Sequence, residues 1–132
     1  MRVVHTGQAP LDELLGSADV VSLHCPLTPE THHLIGEREL ALMKPSAYLV
    51  NTSRGPVVNE GALAHALAEL RIAGAALDVF EREPEVEEAL LALDNVILVP
   101  HLASATAEAR EAMGMLCVEA LQEVLLRAGK LP

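Results

Sequence analysis

Five short apolar runs punctuate the chain, at residues 2–4, 19–23, 47–51, 74–79 and 95–99. Each has strand length, and most carry no polar alternation, the pattern of strands buried on both faces of a parallel sheet. The intervening segments are long enough for crossover helices. Helical spacing is clearest over residues 59–70, where Asn59 can cap the N-terminus and Leu63, Ala66, Leu67 and Leu70 fall on one face. A longer helix is predicted over 104–128, with Ser104 or Thr106 as cap, Glu108 and Glu111 placed early where the helix dipole favours negative charge, and Gly129 marking the end. Its stripe of Met113, Leu116, Cys117, Ala120, Leu121 and Val124 reads as a packing surface. Shorter helices are expected at 11–15 and 37–43, the second ended before Pro45, and the acidic run 81–88 reads as a solvated loop and helix start. Alternating strands and helices predict an open α/β sheet, which binds ligands at the carboxyl ends of its strands.

Composition narrows the field. The 132 residues suit one domain, and 51% hydrophobic content supplies a core. Only Tyr48 and Phe80 are aromatic, so that core is built from Ala, Leu and Val. A net charge of −10 argues against nucleic acid, which needs clustered Lys and Arg. No uninterrupted apolar stretch reaches membrane-spanning length and no basic leader precedes an apolar segment, so a cytoplasmic protein is expected. Cys25 and Cys117 lie far apart and read as reduced thiols; His5, His24, His32, His33 and His65 show no metal-ligand spacing.

The strand ends carry the chemistry. After the second run stands Ser22-Leu23-His24-Cys25-Pro26-Leu27-Thr28-Pro29-Glu30-Thr31, and after the third Asn51-Thr52-Ser53-Arg54-Gly55. After the fourth comes Asp78-Val79-Phe80-Glu81-Arg82-Glu83-Pro84, and after the fifth Pro100-His101-Leu102-Ala103-Ser104. An arginine, an acid pair and a histidine at the ends of successive strands, in this order, resemble the D-isomer-specific 2-hydroxyacid dehydrogenases. That family includes glyoxylate and hydroxypyruvate reductases, phosphoglycerate dehydrogenase and formate dehydrogenase.

The resemblance implies catalytic roles for three residues. Arg54 matches the arginine that holds the substrate carboxylate and polarises the keto oxygen, a task suited to its planar fork of donors. His101 matches the acid/base histidine, whose unperturbed pKa lies near working pH. Glu83 matches the carboxylate that orients this histidine; formate dehydrogenases have a glutamine there, so Glu83 points to the 2-hydroxyacid branch. Asp78 matches the acid near the nicotinamide carboxamide, and Pro26, Thr31, Thr52 and Ser53 fall in segments that line the cofactor. No metal is implied. Glu81, Glu85, Glu87 and Glu88 read as solvated charges.

Two departures from the family stand out. No Gly-x-Gly-x-x-Gly run is present, although the family uses one to bring backbone to the cofactor pyrophosphate. The segment before residue 10 resembles the strand after that loop, with Thr6-Gly7-Gln8 where an NAD-specific relative places an acid. The cofactor expected is NAD or NADP, with NADP favoured. The substrate domain is also missing from these 132 residues, so the expectation is a single, apparently truncated NAD(P)-binding domain over 1–132. Its expected fold is an incomplete Rossmann-like three-layer sandwich with about five mostly parallel strands and a long C-terminal helix.

Right-handed crossovers in one direction place the helices on one face and leave the other poorly covered, so a homo-oligomer or a partner over that face is expected. The expected activity is hydride transfer between NAD(P)H and a small 2-keto acid such as glyoxylate or hydroxypyruvate, impaired in the isolated chain. The alternative is a non-catalytic binding or assembly module that retains the fold.

Overall fold

The computed structural model describes residues 1–102 and 104–130. It divides into two compact units, Met1–Pro100 and His101–Pro132. In the first unit, helix α1 (Leu11–Ser17) leads to β1 (Val20–Leu23), α2 (Glu37–Leu42), β2 (Tyr48–Asn51), a short 3-10 turn (Gly55–Val57) and α3 (Glu60–Ala68). Strand β3 (Gly74–Leu77), α4 (Glu88–Leu91) and β4 (Val96–Leu98) complete it. The sheet runs β1-β2-β3-β4, parallel throughout, with Val21, Leu49, Ala75 and Val96 in one row and Leu23, Asn51, Leu77 and Leu98 in another. All strands therefore end at one edge, and the loops that follow them gather there.

Those two rows face the helices. Leu15 of α1, Leu40 of α2, Leu63 and Leu67 of α3 and Leu90 of α4 join Leu23, Leu49 and Leu77 in one buried core. Each fully buried leucine contributes about 1.5–3 kcal/mol relative to exposure. The opposite face is open: Val20, Tyr48 and Ile97 keep 55%, 53% and 66% of their surface exposed. Within the first unit the strands are thus buried on one face, not the two that their unbroken apolar runs suggested, while the Rossmann-like plan of a parallel sheet flanked by helices and followed by a long C-terminal helix is the one expected.

Four of the five expected strands form. Residues 2–4 do not pair, and Val3 is 73% exposed. Two valines after an arginine make too short an apolar segment to hold an extended strand on their own. Helix α3 is capped as expected, Asn59 Oδ1 accepting from the Ala62 amide at 2.9 Å. It stops before Leu70, which adopts a left-handed φ of 54° and is exposed, so Leu70 leaves the buried face that the spacing assigned to it.

The second unit is dominated by α5 (Ala107–Arg127). Of the two expected caps, Thr106 serves, Oγ1 accepting from the Ala109 amide at 3.1 Å. Gly129, at φ 63°, ends the helix as the sequence indicated. The apolar stripe is present, but no α5 residue is buried. Spacing reveals an apolar face; it does not reveal what covers it. Among the described residues, no helix is long and apolar enough to cross a membrane.

Candidate active site

Asn51, the last residue of β2, is 1% exposed and organises the loop that follows. Its Oδ1 accepts from the Ser53 amide at 3.0 Å and from the Ser53 hydroxyl at 2.8 Å, while its Nδ2 donates to the Arg54 carbonyl at 3.0 Å. A buried amide whose oxygen accepts two bonds and whose nitrogen donates one holds a loop tightly, since leaving a buried polar group unpaired costs about 1–3 kcal/mol. The result turns Arg54 out into solvent, where Nη1 donates to the Ser53 carbonyl at 2.6 Å. Arg54, Ser53, Thr52 and Pro26 then line one cleft of about 560 Å³ with His24, Cys25 and Leu27. Thr31 lies behind that rim, its hydroxyl donating to the Pro26 carbonyl at 2.7 Å and accepting from the Thr28 amide at 2.8 Å. Thr31 therefore closes the 26–31 loop.

The loop after β3 packs beside this one. Asp78 is buried, 4% exposed, and its amide donates to the Asn51 carbonyl at 3.0 Å. Glu83 is exposed, and its Oε1 accepts from the Phe80 amide at 3.1 Å. The first unit thus brings Arg54, Asp78 and Glu83 to the same strand-end edge as Pro26, Thr52 and Ser53. His101 opens the second unit, exposed and at a left-handed φ of 52°. Such a backbone is uncommon outside glycine and costs about 1–3 kcal/mol, a feature that clusters at functional sites.

Glu81 is the clear correction to the sequence reading. Far from being a solvated charge, its side chain is 26% exposed, its Oε1 accepts from the Glu60 amide at 2.9 Å, and the same oxygen lies 3.2 Å from His33 Nε2. Glu60 is 4% exposed, and its Oε1 accepts from the Glu81 amide at 2.7 Å. Burial pushes the Glu60 carboxyl above its ordinary range; the Glu81 amide opposes this, and the charges of Glu81 and Glu87 add to it. Neither glutamate carries a sequence signal for this role. Asn51 does carry one, because an asparagine two residues before a loop serine fits an Asx turn. No cluster of His, Cys, Asp or Glu that could hold a metal occurs among the described residues.

The comparisons with known proteins agree with this architecture. Residues 2–103 match the D-isomer specific 2-hydroxyacid dehydrogenase NAD-binding domain. A glyoxylate reductase from Thermococcus litoralis is 54% identical over 121 residues, 92% of this chain and 36% of the relative. A crystal structure of a glyoxylate reductase from Paecilomyes thermophila superposes with a TM-score of 0.86 at 40% identity, covering 95% of this chain and 38% of that one. An NADPH-dependent glyoxylate/hydroxypyruvate reductase from Sinorhizobium meliloti, in complex with NADP and malonate, gives 0.80 at 42% identity, covering 85% and 35%. The chain therefore spans little more than a third of the length of these relatives. It belongs to the D-isomer-specific 2-hydroxyacid dehydrogenase family.

Proposed function

We propose that the chain is the NAD(P)-binding part of an oxidoreductase that interconverts a small 2-keto acid, such as glyoxylate or hydroxypyruvate, with its 2-hydroxy acid. The observation that carries this reading is the juxtaposition of the Arg54 and Glu83 loops beside a strand-end cleft. A bound nicotinamide would supply or accept the hydride at its C4. Arg54 would grip the substrate carboxylate and draw charge toward the keto oxygen. By the family motif, His101 would give a proton to that oxygen in reduction and take it back in oxidation, with Glu83 holding the imidazole in the productive tautomer.

The residues present fit the nicotinamide half of the cofactor. The cleft lined by Pro26, Thr52, Ser53 and Arg54 lies where α/β sheets take ligands, and Asp78 places a buried acid at the same edge. The glycine-rich pyrophosphate loop is not among these 132 residues, so their own affinity for cofactor is expected to be low. Thr6-Gly7, with no acid at the end of that segment, favours NADP over NAD. Titration with NADPH and NADH, followed by glyoxylate-dependent loss of reduced-nicotinamide absorbance, tests the proposal. Saturable binding that favours NADPH and turnover abolished by His101→Ala support it; cofactor binding that Thr52 and Ser53 substitutions leave untouched overturns it.

The open sheet face favours a second reading, an assembly module. Val20, Tyr48 and Ile97 are large apolar side chains on one exposed surface, and such patches mark interfaces. Light scattering at micromolar concentration should then give a mass above the 14.1 kDa of one chain. A stable monomer would remove this reading.

A further inference from the structure

We propose that Glu60 and Glu81 are a pair of positioning residues that fasten the loop bearing Arg54 to the loop bearing Glu83. The inference rests on the functional reading above for what the two loops do. Its structural basis is independent of that reading.

The two glutamates exchange hydrogen bonds reciprocally. The Glu60 amide donates to Glu81 Oε1 at 2.9 Å, and the Glu81 amide donates to Glu60 Oε1 at 2.7 Å. Each carboxylate thus satisfies the main chain of the other loop, across twenty-one positions of sequence. Bonds from an amide to a carboxylate are among the stronger ones available to a protein. Glu60 sits at the first turn of α3, immediately after the cap Asn59, and the chain from Arg54 to Asn59 consists of the 3-10 turn and its flanks. Glu81 follows Phe80, whose amide is held by Glu83. A displacement at either glutamate is therefore passed along only a few ordered residues to Arg54 on one side and Glu83 on the other.

A third segment lies against the pair. His33 Nε2 lies 3.2 Å from Glu81 Oε1, its Nδ1 lies 3.4 Å from Asn59 Nδ2, and its amide donates to the Pro56 carbonyl at 2.8 Å. A helix-starting acid would ordinarily point into solvent toward the helix dipole. A carboxylate that is 4% exposed beside two further acids carries a desolvation cost with no core-packing return. The Glu81 amide that it accepts from provides the compensation, and the loops so joined are those that hold the proposed chemistry.

Backbone hydrogen exchange of the full 132-residue chain tests the pair. Glu60→Ala should accelerate exchange at Phe80 and Glu81, and Glu81→Ala should accelerate it at Val57, Val58 and Glu60, each about tenfold or more, the effect of losing one charge-assisted bond. Glu60→Gln keeps an oxygen to accept from Glu81 and should recover most of the protection. Amides within β2 and β3, such as Leu49 and Leu77, should stay within about twofold of the unsubstituted chain. The proposal is overturned if each substitution affects only its own loop, or if all amides accelerate equally, which is the signature of a general loss of stability. Should Glu60→Ala fail to fold, Glu81→Ala, at a partly exposed position, gives the same cross-loop readout. Absence of NADPH binding by the unsubstituted chain would count against the functional reading alone, because the exchange pattern reads the pair without cofactor.

Discussion

The backbone of Gly55 lies directly against that of Phe80: a β-carbon at position 55 would fall 1.9 Å from the Phe80 carbonyl carbon and 2.4 Å from the Glu81 nitrogen. Both partners are main chain, so neither can swing aside as a side chain would. The residue after Arg54 is glycine for that reason. This approach, together with the reciprocal glutamates, sets how near the Arg54 and Glu83 loops come to one another.

Gly55→Ala should therefore cost at least about 3 kcal/mol, more than ordinary overpacking, because the loops must separate to admit the methyl group. Urea unfolding is the measurement. A midpoint unchanged from that of the unsubstituted chain would mean that the loops are not in contact in solution.

Leu70→Gly should act in the opposite direction. Leu70 follows α3 at a left-handed φ of 54°, where a branched side chain is strained, and its 70% exposure means that little burial is forfeited. The Arg71 amide already bonds to the Ala66 carbonyl at 2.9 Å, the geometry of a helix stop that glycine favours. Relief of the left-handed strain, less the added chain entropy of glycine, leaves a gain of about 0.5–1 kcal/mol. The thermal midpoint should rise accordingly.

Glu60 should make stability fall with rising pH in the mildly acidic range. Its carboxyl is raised above the ordinary 4.5 by burial, so the folded chain holds the proton to higher pH than the unfolded chain does. Below 4.5 both states are protonated and the contribution is whole; between 4.5 and the raised value it is lost progressively as pH rises. Glu81 and Glu87 face the group, and His33 lies against Glu81. Denaturation midpoints of the unsubstituted chain and Glu60→Gln, compared across this range, isolate the effect: the variant should lack the decline.

Arg54→Lys tests the proposed substrate contact. A lysine keeps the charge but loses the paired donors, so affinity for oxalate, a small dianion shaped like the substrate, should weaken about tenfold. Turnover of glyoxylate should fall by about 10²-fold, in line with loss of one oriented donor at a developing oxyanion. NADPH affinity should change by less than about twofold. An equal loss in cofactor and oxalate binding would instead assign Arg54 to the cofactor.

Much of this architecture is legible in local pattern. Val20–Leu23, Tyr48–Asn51, Gly74–Leu77 and Val96–Leu98 lie within apolar runs separated by helix-length segments, and that alternation alone specifies a parallel sheet with ligand chemistry at its carboxyl edge. Asn59, Thr106 and Gly129 announce helix ends because capping depends on the chemistry of one residue and its near neighbours. The order Arg54, Asp78, Glu83, His101 was visible for the same reason: each sits at a strand end, and strand ends can be counted along the chain.

Pairing and burial are not local, and tertiary structure alone decided them. Residues 2–4 look as apolar as a strand, yet no edge receives them; the stripe of α5 has the spacing of a packed helix, yet none of it is buried. Glu60, Glu81 and Glu83 are the same residue type, but two are turned inward onto each other's backbone while the third stands exposed beside Pro84. Their different environments follow from the close passage of Gly55 along Phe80, twenty-five positions away in sequence. A hydrophobic pattern records which side chains avoid water, whereas the partner of a buried charge is set by whatever segment the fold brings beside it.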